Sequence, residues 1–337
     1  MVDRKQQLKT WLETIFSADS FTLTTASADA SFRRYFRVHL IQKGAYGETL
    51  IAMDAPPQQE NCRPFVKIAK LLSEAGLNVP QVLAQDIERG FLLLSDLGND
   101  TYLSQLNVQN ASKLYAEANQ ALIKIQLASK PNVLPLYDEA LLMREMQLFA
   151  DWYVVKHLGI ELNDQQKSVL KNTFDVLNQN ILAQGQVYVH RDYHSRNLMI
   201  TQENNPGVLD FQDAVYGAIT YDLASLMKDA YISWDEEVMI DWVVRYWQAA
   251  KKMNLPVPED FGAFYRDFEW MGAQRHIKVL GIFARLYHRD GKNAYLKDIP
   301  LVMEYLRKVC ERYAELRPML KLLNELEGKE PRPKYVV

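Results

Sequence analysis

Apolar positions in the first sixteen residues recur at helical spacing: Leu8, Trp11, Leu12, Ile15 and Phe16, with charged and polar residues between them. That spacing predicts an amphipathic first helix. The period then shortens to two, and strands are expected at about 21–25, 35–40 and 49–53. Asn61 stands where a helix cap would, ahead of an apolar-periodic run over about 63–75 that stops at Gly76. Val82-Leu83 and the run 91–94 add two more strands, which brings the expected sheet to about five. Ser95-Asp96-Leu97-Gly98 breaks the pattern, and the sequence beyond it is mainly helical. Three helices are expected between 107 and 183, one opening at Tyr221, and others at about 236–253, 260–289 and 298–324. This is an α+β chain, with a small antiparallel-sheet lobe at 1–97 and a larger helical lobe at 98–337.

One polar stretch interrupts the helical part: HRDYHSRNLMITQENNPGVLDFQD, residues 190–213. Tyr188 and Val189 close an apolar strand, and His190-Arg191-Asp192 turns outward. Residues 198–200 form the next strand, Asn204-Asn205-Pro206-Gly207 supplies turn chemistry, and Val208-Leu209 leads into Asp210. Asp192, Asn197 and Asp210 therefore mark the edges of one small hairpin. Their pattern, D-x4-N and then an Asp at a strand end, is that of kinase catalytic and metal-binding loops. Phosphoryl transfer needs a carboxylate to orient and deprotonate the attacking hydroxyl, and hard oxygen ligands to hold Mg²⁺ against the phosphates. Asp192 suits the base, while Asn197 and Asp210 suit the metal. A neutral Asn beside a carboxylate limits like-charge repulsion before the ion arrives.

Composition excludes other classes. The chain has 337 residues, a formal charge of -3 and ordinary globular proportions, so no whole-molecule field argues for nucleic acid or membrane. No apolar run reaches membrane-spanning length, and the charged N-terminus lacks a signal-peptide core. Two cysteines, Cys62 and Cys310, argue against a disulfide framework, and six scattered His show no ligand spacing. A monomeric cytoplasmic protein is expected. Only FQDAVYGAITY separates Asp210 from the helix residue Asp222, and no A-P-E follows. Without a long activation segment there is little platform for a peptide, which favours a small acceptor.

HRDYHSRNLM and LDFQDAVYGAITYDLASL resemble the aminoglycoside phosphotransferase family of kinase-like enzymes. DASFRRYFRV at 29–38, MDAPP at 53–57, LLLSDLG at 92–98, REMQLFADWYV at 144–154 and RHIKVLGIFARLYHRDGK at 275–292 resemble more closely its bacterial amino-sugar branch. The resemblance implies a protein-kinase-like two-lobe fold and ATP-dependent, Mg²⁺-assisted phosphorylation of the anomeric hydroxyl of N-acetylmuramate or N-acetylglucosamine, in cell-wall recycling. By position, Asp192 would be the base, Asn197 and Asp210 the metal ligands, and Asp222 a brace for the catalytic loop. Ser31, Phe32, Arg33 and Arg34 would cover the phosphates, and Ser95, Asp96 and Leu97 would line the adenine. Glu145, His194, Arg275 and His276 are candidate contacts to the acceptor.

Two departures stand out. The strand position where kinases place a phosphate-pairing Lys is Met53, so Arg33, Arg34 or Arg37 would have to supply the charge. The third residue of the metal motif is Gln212 rather than Gly. The missing Lys also leaves a catalytically silent nucleotide-binding module as a rival. An aminoglycoside kinase is a second rival, but residues 258–337 carry 15 Lys+Arg against 12 Asp+Glu, a poor match to a polycation.

Overall fold

A computed structural model describes residues 3–28, 32–44 and 47–328. Asp3 caps the first helix, α1 (Arg4–Leu12), its carboxylate accepting from Lys5 N at 3.2 Å. Ile15 and Phe16, expected in this helix, lie past its end. Strands β1 (Phe21–Ala28), β2 (Arg34–Gly44) and β3 (Gly47–Asp54) follow, then α2 (Arg63–Glu74), β4 (Val82–Asp86), β5 (Phe91–Ser95) and a one-turn α3 (Tyr102–Gln105). Asn61 accepts from Arg63 N at 3.0 Å, one position before the Cys62 cap. The five strands form an antiparallel sheet in the order β1-β2-β3-β5-β4. Alternation divides its residues. Phe36, Val38, Leu50, Ala52, Phe91 and Leu93 bury one face with Leu8, Trp11 and Leu12 of α1. Tyr35, Arg37, Ile51 and Met53 belong to the opposite face, with Tyr35 paired to Met53. Gly90 turns the chain into β5 at φ 73°, where an added Cβ would fall 1.8 Å from the Ala55 carbonyl oxygen.

The rest of the chain begins with α4 (Ala111–Leu127) and α5 (Glu139–Leu148), the latter widening into a π-helix over Phe149–His157. After α6 (Asp164–Ala183), opened by a reciprocal Asn163–Gln166 capping box, come four short strands. These are β6 (Gln186–Val189), β7 (Leu198–Met199), β8 (Gly207–Val208) and β9 (Val215–Ala218). Helices α7 (Tyr221–Met227), α8 (Glu236–Lys252), α9 (Phe261–Asp290), α10 (Ile299–Arg312) and α11 (Arg317–Leu326) complete it. The long helix expected at 298–324 is two helices, because Tyr313 is extended (φ -106°, ψ 126°) and Pro318 opens the second. Strand β9, absent from the sequence reading, pairs with β6.

The chain forms two compact units. The first holds residues 1–106 together with the hairpin 196–213, so it contains more than the 1–97 segment expected as a lobe. The hairpin is tied in by Val208 N to Asn78 O (2.8 Å), Ile200 N to Asp100 O (2.7 Å) and Asn205 Nδ2 to Tyr102 Oη (2.8 Å). Phe211 packs on Phe65 of α2 with ring centroids 4.8 Å apart. The second unit holds 107–195 and 214–337. Its centre is α9, packed by α5, the π-helix, α6, α7 and α10. Gly281 permits a close approach of α5 to α9: an added Cβ would lie 2.3 Å from the Leu148 backbone.

Candidate active site

In the second unit the loop after β6 is held by carboxylates from one helix and the turn beyond it. Asp222, in the first turn of α7, accepts from His190 N at 2.6 Å and Arg191 N at 3.0 Å. Seven residues on, past the end of α7, Asp229 accepts from both the amide and the hydroxyl of Ser195. Both carboxylates are about 1% exposed. Burial pushes the Asp222 carboxyl up to about 7, against the two amide donors and Arg275. Arg191 sits at φ 77°, a left-handed conformation that is costly for a side chain with a Cβ and is held here by these bonds. Tyr193 fixes the middle of the loop through Tyr193 Oη to Ala118 O at 2.8 Å. Asp192 is thereby presented from a loop fastened on both sides of it.

A buried charge network stands behind this loop. Glu145 of α5 accepts from the Tyr137 hydroxyl, from Arg191, and from Lys278 Nζ at 3.1 Å. Lys278 also donates to Tyr221 Oη at 3.0 Å, and Arg275, one turn earlier on α9, donates to Arg191 O at 3.2 Å. Burial would raise the Asp192 carboxyl, but Lys278, Arg275, His194 and Arg191 outweigh it and hold the group below the usual carboxylate range. Glu145 is likewise held down, burial being overcome by Lys278 and Arg191. Of the residues expected to meet an acceptor, Glu145 and Arg275 are thus buried and engaged with the loop. His276 is buried too, stacked on Tyr305 (5.2 Å) with Nε2 3.3 Å from Lys228 O. Burial pushes its imidazole down to about 3, so it is neutral. His194 is partly exposed and meets Tyr231 edge-on at 5.5 Å.

In the first unit the hairpin brings Asn197 and Asp210 together, with Asn197 Nδ2 3.4 Å from Asp210 Oδ2. Asp210 is left-handed (φ 61°). Gln212 donates its amide to Asp210 Oδ1 at 2.8 Å, a bond that the more usual Gly could not make. Arg33 Nη1 approaches the same oxygen at 3.9 Å while its Nε meets Glu60 at 3.3 Å. An amide oxygen and a carboxylate on adjacent side chains are hard donors, and Mg²⁺ commonly takes one or two carboxylates and completes its shell with phosphate and water. These residues fit that ion. Among the described residues no cluster of three or more His, Cys, Asp or Glu offers a metal site made by protein alone.

The remaining candidates lie as follows. Ser31 falls outside the described residues, and Phe32 is 60% exposed. Arg34 turns to the α1 face and, with Arg4, binds the buried Asp54. Arg37 clamps the segment after β5 by bonds to Asp96 (2.6 Å), Asn99 and the Gly98 carbonyl. Ser95 pairs with Gln81 through its amide and hydroxyl, and Leu97 lies against Gly207. Sequence reasoning missed Glu60, Tyr137, Asp229 and Lys278. A signal existed for two of them: Lys278 is one turn from Arg275, and Asp229 repeats Asp222 at seven residues.

Residues 22–262 match the Phosphotransferase enzyme family (APH), and the chain belongs to that family. It is 50% identical to a Neisseria meningitidis protein named N-acetylmuramate/N-acetylglucosamine kinase, over 98% of each chain. A Pseudomonas aeruginosa protein of the same name is also 50% identical, over 97% of this chain and 98% of its own length. The Caulobacter vibrioides protein of that name is 32% identical over 84% of this chain and 85% of its own. Among solved structures, choline kinase from Cryptosporidium parvum shares the fold with a TM-score of 0.63 at 11% identity, covering 96% of this chain and all of that one. ADP-bound aminoglycoside phosphotransferase APH(2'')-Ib gives 0.59 at 13% identity, covering 90% and 98%. The fold is thus the protein-kinase-like one, with the five-stranded sheet and a larger helical part, and the chain is a phosphotransferase.

Proposed function

We propose that this enzyme transfers the γ-phosphoryl group of ATP to the anomeric hydroxyl of N-acetylmuramate or N-acetylglucosamine. What carries the reading is the name shared by relatives about half identical over nearly their whole length. The proposed roles are these. Asp192 accepts the proton of the anomeric hydroxyl as its oxygen attacks the γ-phosphorus, and ADP leaves with the bridging oxygen. Asp222, Asp229 and the Glu145 network fix the loop that carries Asp192. Asn197 and Asp210 hold Mg²⁺, which neutralises phosphate charge when bound. Ser31, Phe32 and Arg33 cover the phosphates, backbone groups of 95–97 meet the adenine, and His194 is the acceptor-side candidate with exposed surface. The 1–97 segment serves nucleotide and the helical part serves sugar, in a monomer working in the cytoplasm. No described helix is long and apolar enough to cross a membrane.

The excess of Lys+Arg over Asp+Glu in residues 258–337, 15 against 12, supports a neutral or carboxylated acceptor over a polycationic aminoglycoside. The test is turnover of N-acetylmuramate, N-acetylglucosamine, glucosamine and kanamycin with ATP and Mg²⁺, with ³¹P NMR of the product. A sugar 1-phosphate from the N-acetylated sugars, and none from kanamycin, is expected. Phosphorylated kanamycin, or phosphate on another hydroxyl, would overturn the assignment.

A further inference from the structure

Protein kinases hold the nucleotide phosphates with a lysine on a sheet strand, itself steadied by a helix glutamate. Here that strand position is Met53, fully buried in β3, and no charge comes from it. The sheet register shows what could replace it. Tyr35 pairs with Met53, and β2 is regular from Arg34 to His39, so successive side chains alternate between faces. Arg34 leaves on the α1 face, where Asp54 takes it. Arg37 is on the Met53 face, but its guanidinium is spent on Asp96, Asn99 and Gly98. Arg33 stands one residue ahead of β2, and its contacts show where its side chain goes.

Its side chain has a carboxylate partner on one side and the candidate metal carboxylate on the other. Nε meets Glu60, which stands just ahead of α2, and Nη1 reaches to 3.9 Å from Asp210. The pair is largely buried, the side chains being 12% and 17% exposed. A cation fixed by a carboxylate, directed at the candidate metal carboxylate, lies where the phosphates joined to that metal must come. We propose that Arg33, oriented by Glu60, is the phosphate-binding cation of this enzyme, and that the Arg33–Glu60 pair replaces the lysine–glutamate pair lost at Met53. The guanidinium presents two donors in a fixed plane to phosphate oxygens, which an ammonium does not. Glu60 is a positioning residue acting through Arg33. The proposal rests on the ATP-dependent reading above.

The test combines nucleotide titration calorimetry with steady-state kinetics on Arg33→Met, Arg33→Lys, Glu60→Gln, Arg34→Met and Arg37→Met, each checked for an unchanged melting temperature. Arg33→Met should weaken ATP binding about tenfold and lower kcat by about 10²-fold, the scale of losing one charge-stabilising donor. The KM for the sugar should stay within about twofold, because only an interaction with the nucleotide is removed. Arg33→Lys should recover part of the loss, keeping charge without the planar fork. Glu60→Gln should shift ATP parameters the same way by about threefold, through loss of one charged partner. Wild-type ATP binding in Arg33→Met, or a larger loss in Arg34→Met or Arg37→Met, would overturn the assignment. If the sugar reading itself fails, wild-type protein turns over no sugar, while the ATP titrations still decide the role of Arg33.

Discussion

Asp192 lies among fixed cations, Asp210 among amides. Around Asp192, Lys278, Arg275, His194 and Arg191 together outweigh the cost of burial and keep the carboxyl ionised. Around Asp210, Gln212 and Asn197 contribute neutral donors, Arg33 approaches at 3.9 Å, and the side chain is 33% exposed. The difference suits the roles proposed for the two groups. A base has to stay charged and still whether or not a metal is present, and Asp192 has its counter-charges built into the protein. A metal ligand has to meet a divalent ion, and Asp210 keeps a third of its side chain exposed.

The sharpest way to break this comparison is to neutralise the base. Asp192→Asn should lower kcat by roughly 10²–10⁴, the span for losing a general base, with ATP binding intact. Near-normal turnover would remove Asp192 from the chemistry. Next is the ligand: Asp210→Ala should weaken Mg²⁺-ATP by about tenfold or more while leaving metal-free ATP nearly unchanged, since only the ion joins this carboxylate to the phosphates. Titrations with and without Mg²⁺ check it, and equal losses in both would point to a fold defect. The smallest expected effect tests the cation frame. Lys278 is the first-named of the groups that hold the Asp192 carboxyl down. Activity needs the ionised form, so Lys278→Met should move the acid limb of the kcat–pH profile to higher pH and leave the plateau less than about tenfold reduced. An unmoved limb would show that Lys278 serves Glu145 and Tyr221 and not Asp192.

Much of this was readable in the sequence because it rests on local pattern. Three strands of the sheet follow from period-two runs and two from short apolar stretches at 82–83 and 91–94, α1 from Leu8, Trp11 and Leu12, and the hairpin from Asn204 to Gly207. The break at Tyr313 was hidden, since the apolar period carries on through Leu316, Met319 and Leu323. Periodicity likewise cannot separate an exposed charge on a helix from a buried one, so Glu145, Arg275 and Lys278 did not reveal a network. Three nearby arginines were equally eligible to replace the lysine until strand register gave Arg34 to Asp54 and Arg37 to Asp96. Such partners lie 20 to 59 residues away in sequence, beyond the reach of any local window.

The hairpin 196–213 belongs to the first unit, although roughly ninety residues of the second are made before it. At about 5–20 residues per second, synthesis delivers it roughly 5–18 s after residue 106. During that interval the growing chain has Phe65 without Phe211, and an Asn78 carbonyl without the Val208 amide that it accepts from in the finished protein. The N-terminal part therefore emerges from the ribosome without these contacts. They are completed only when a segment encoded between two stretches of the second unit arrives.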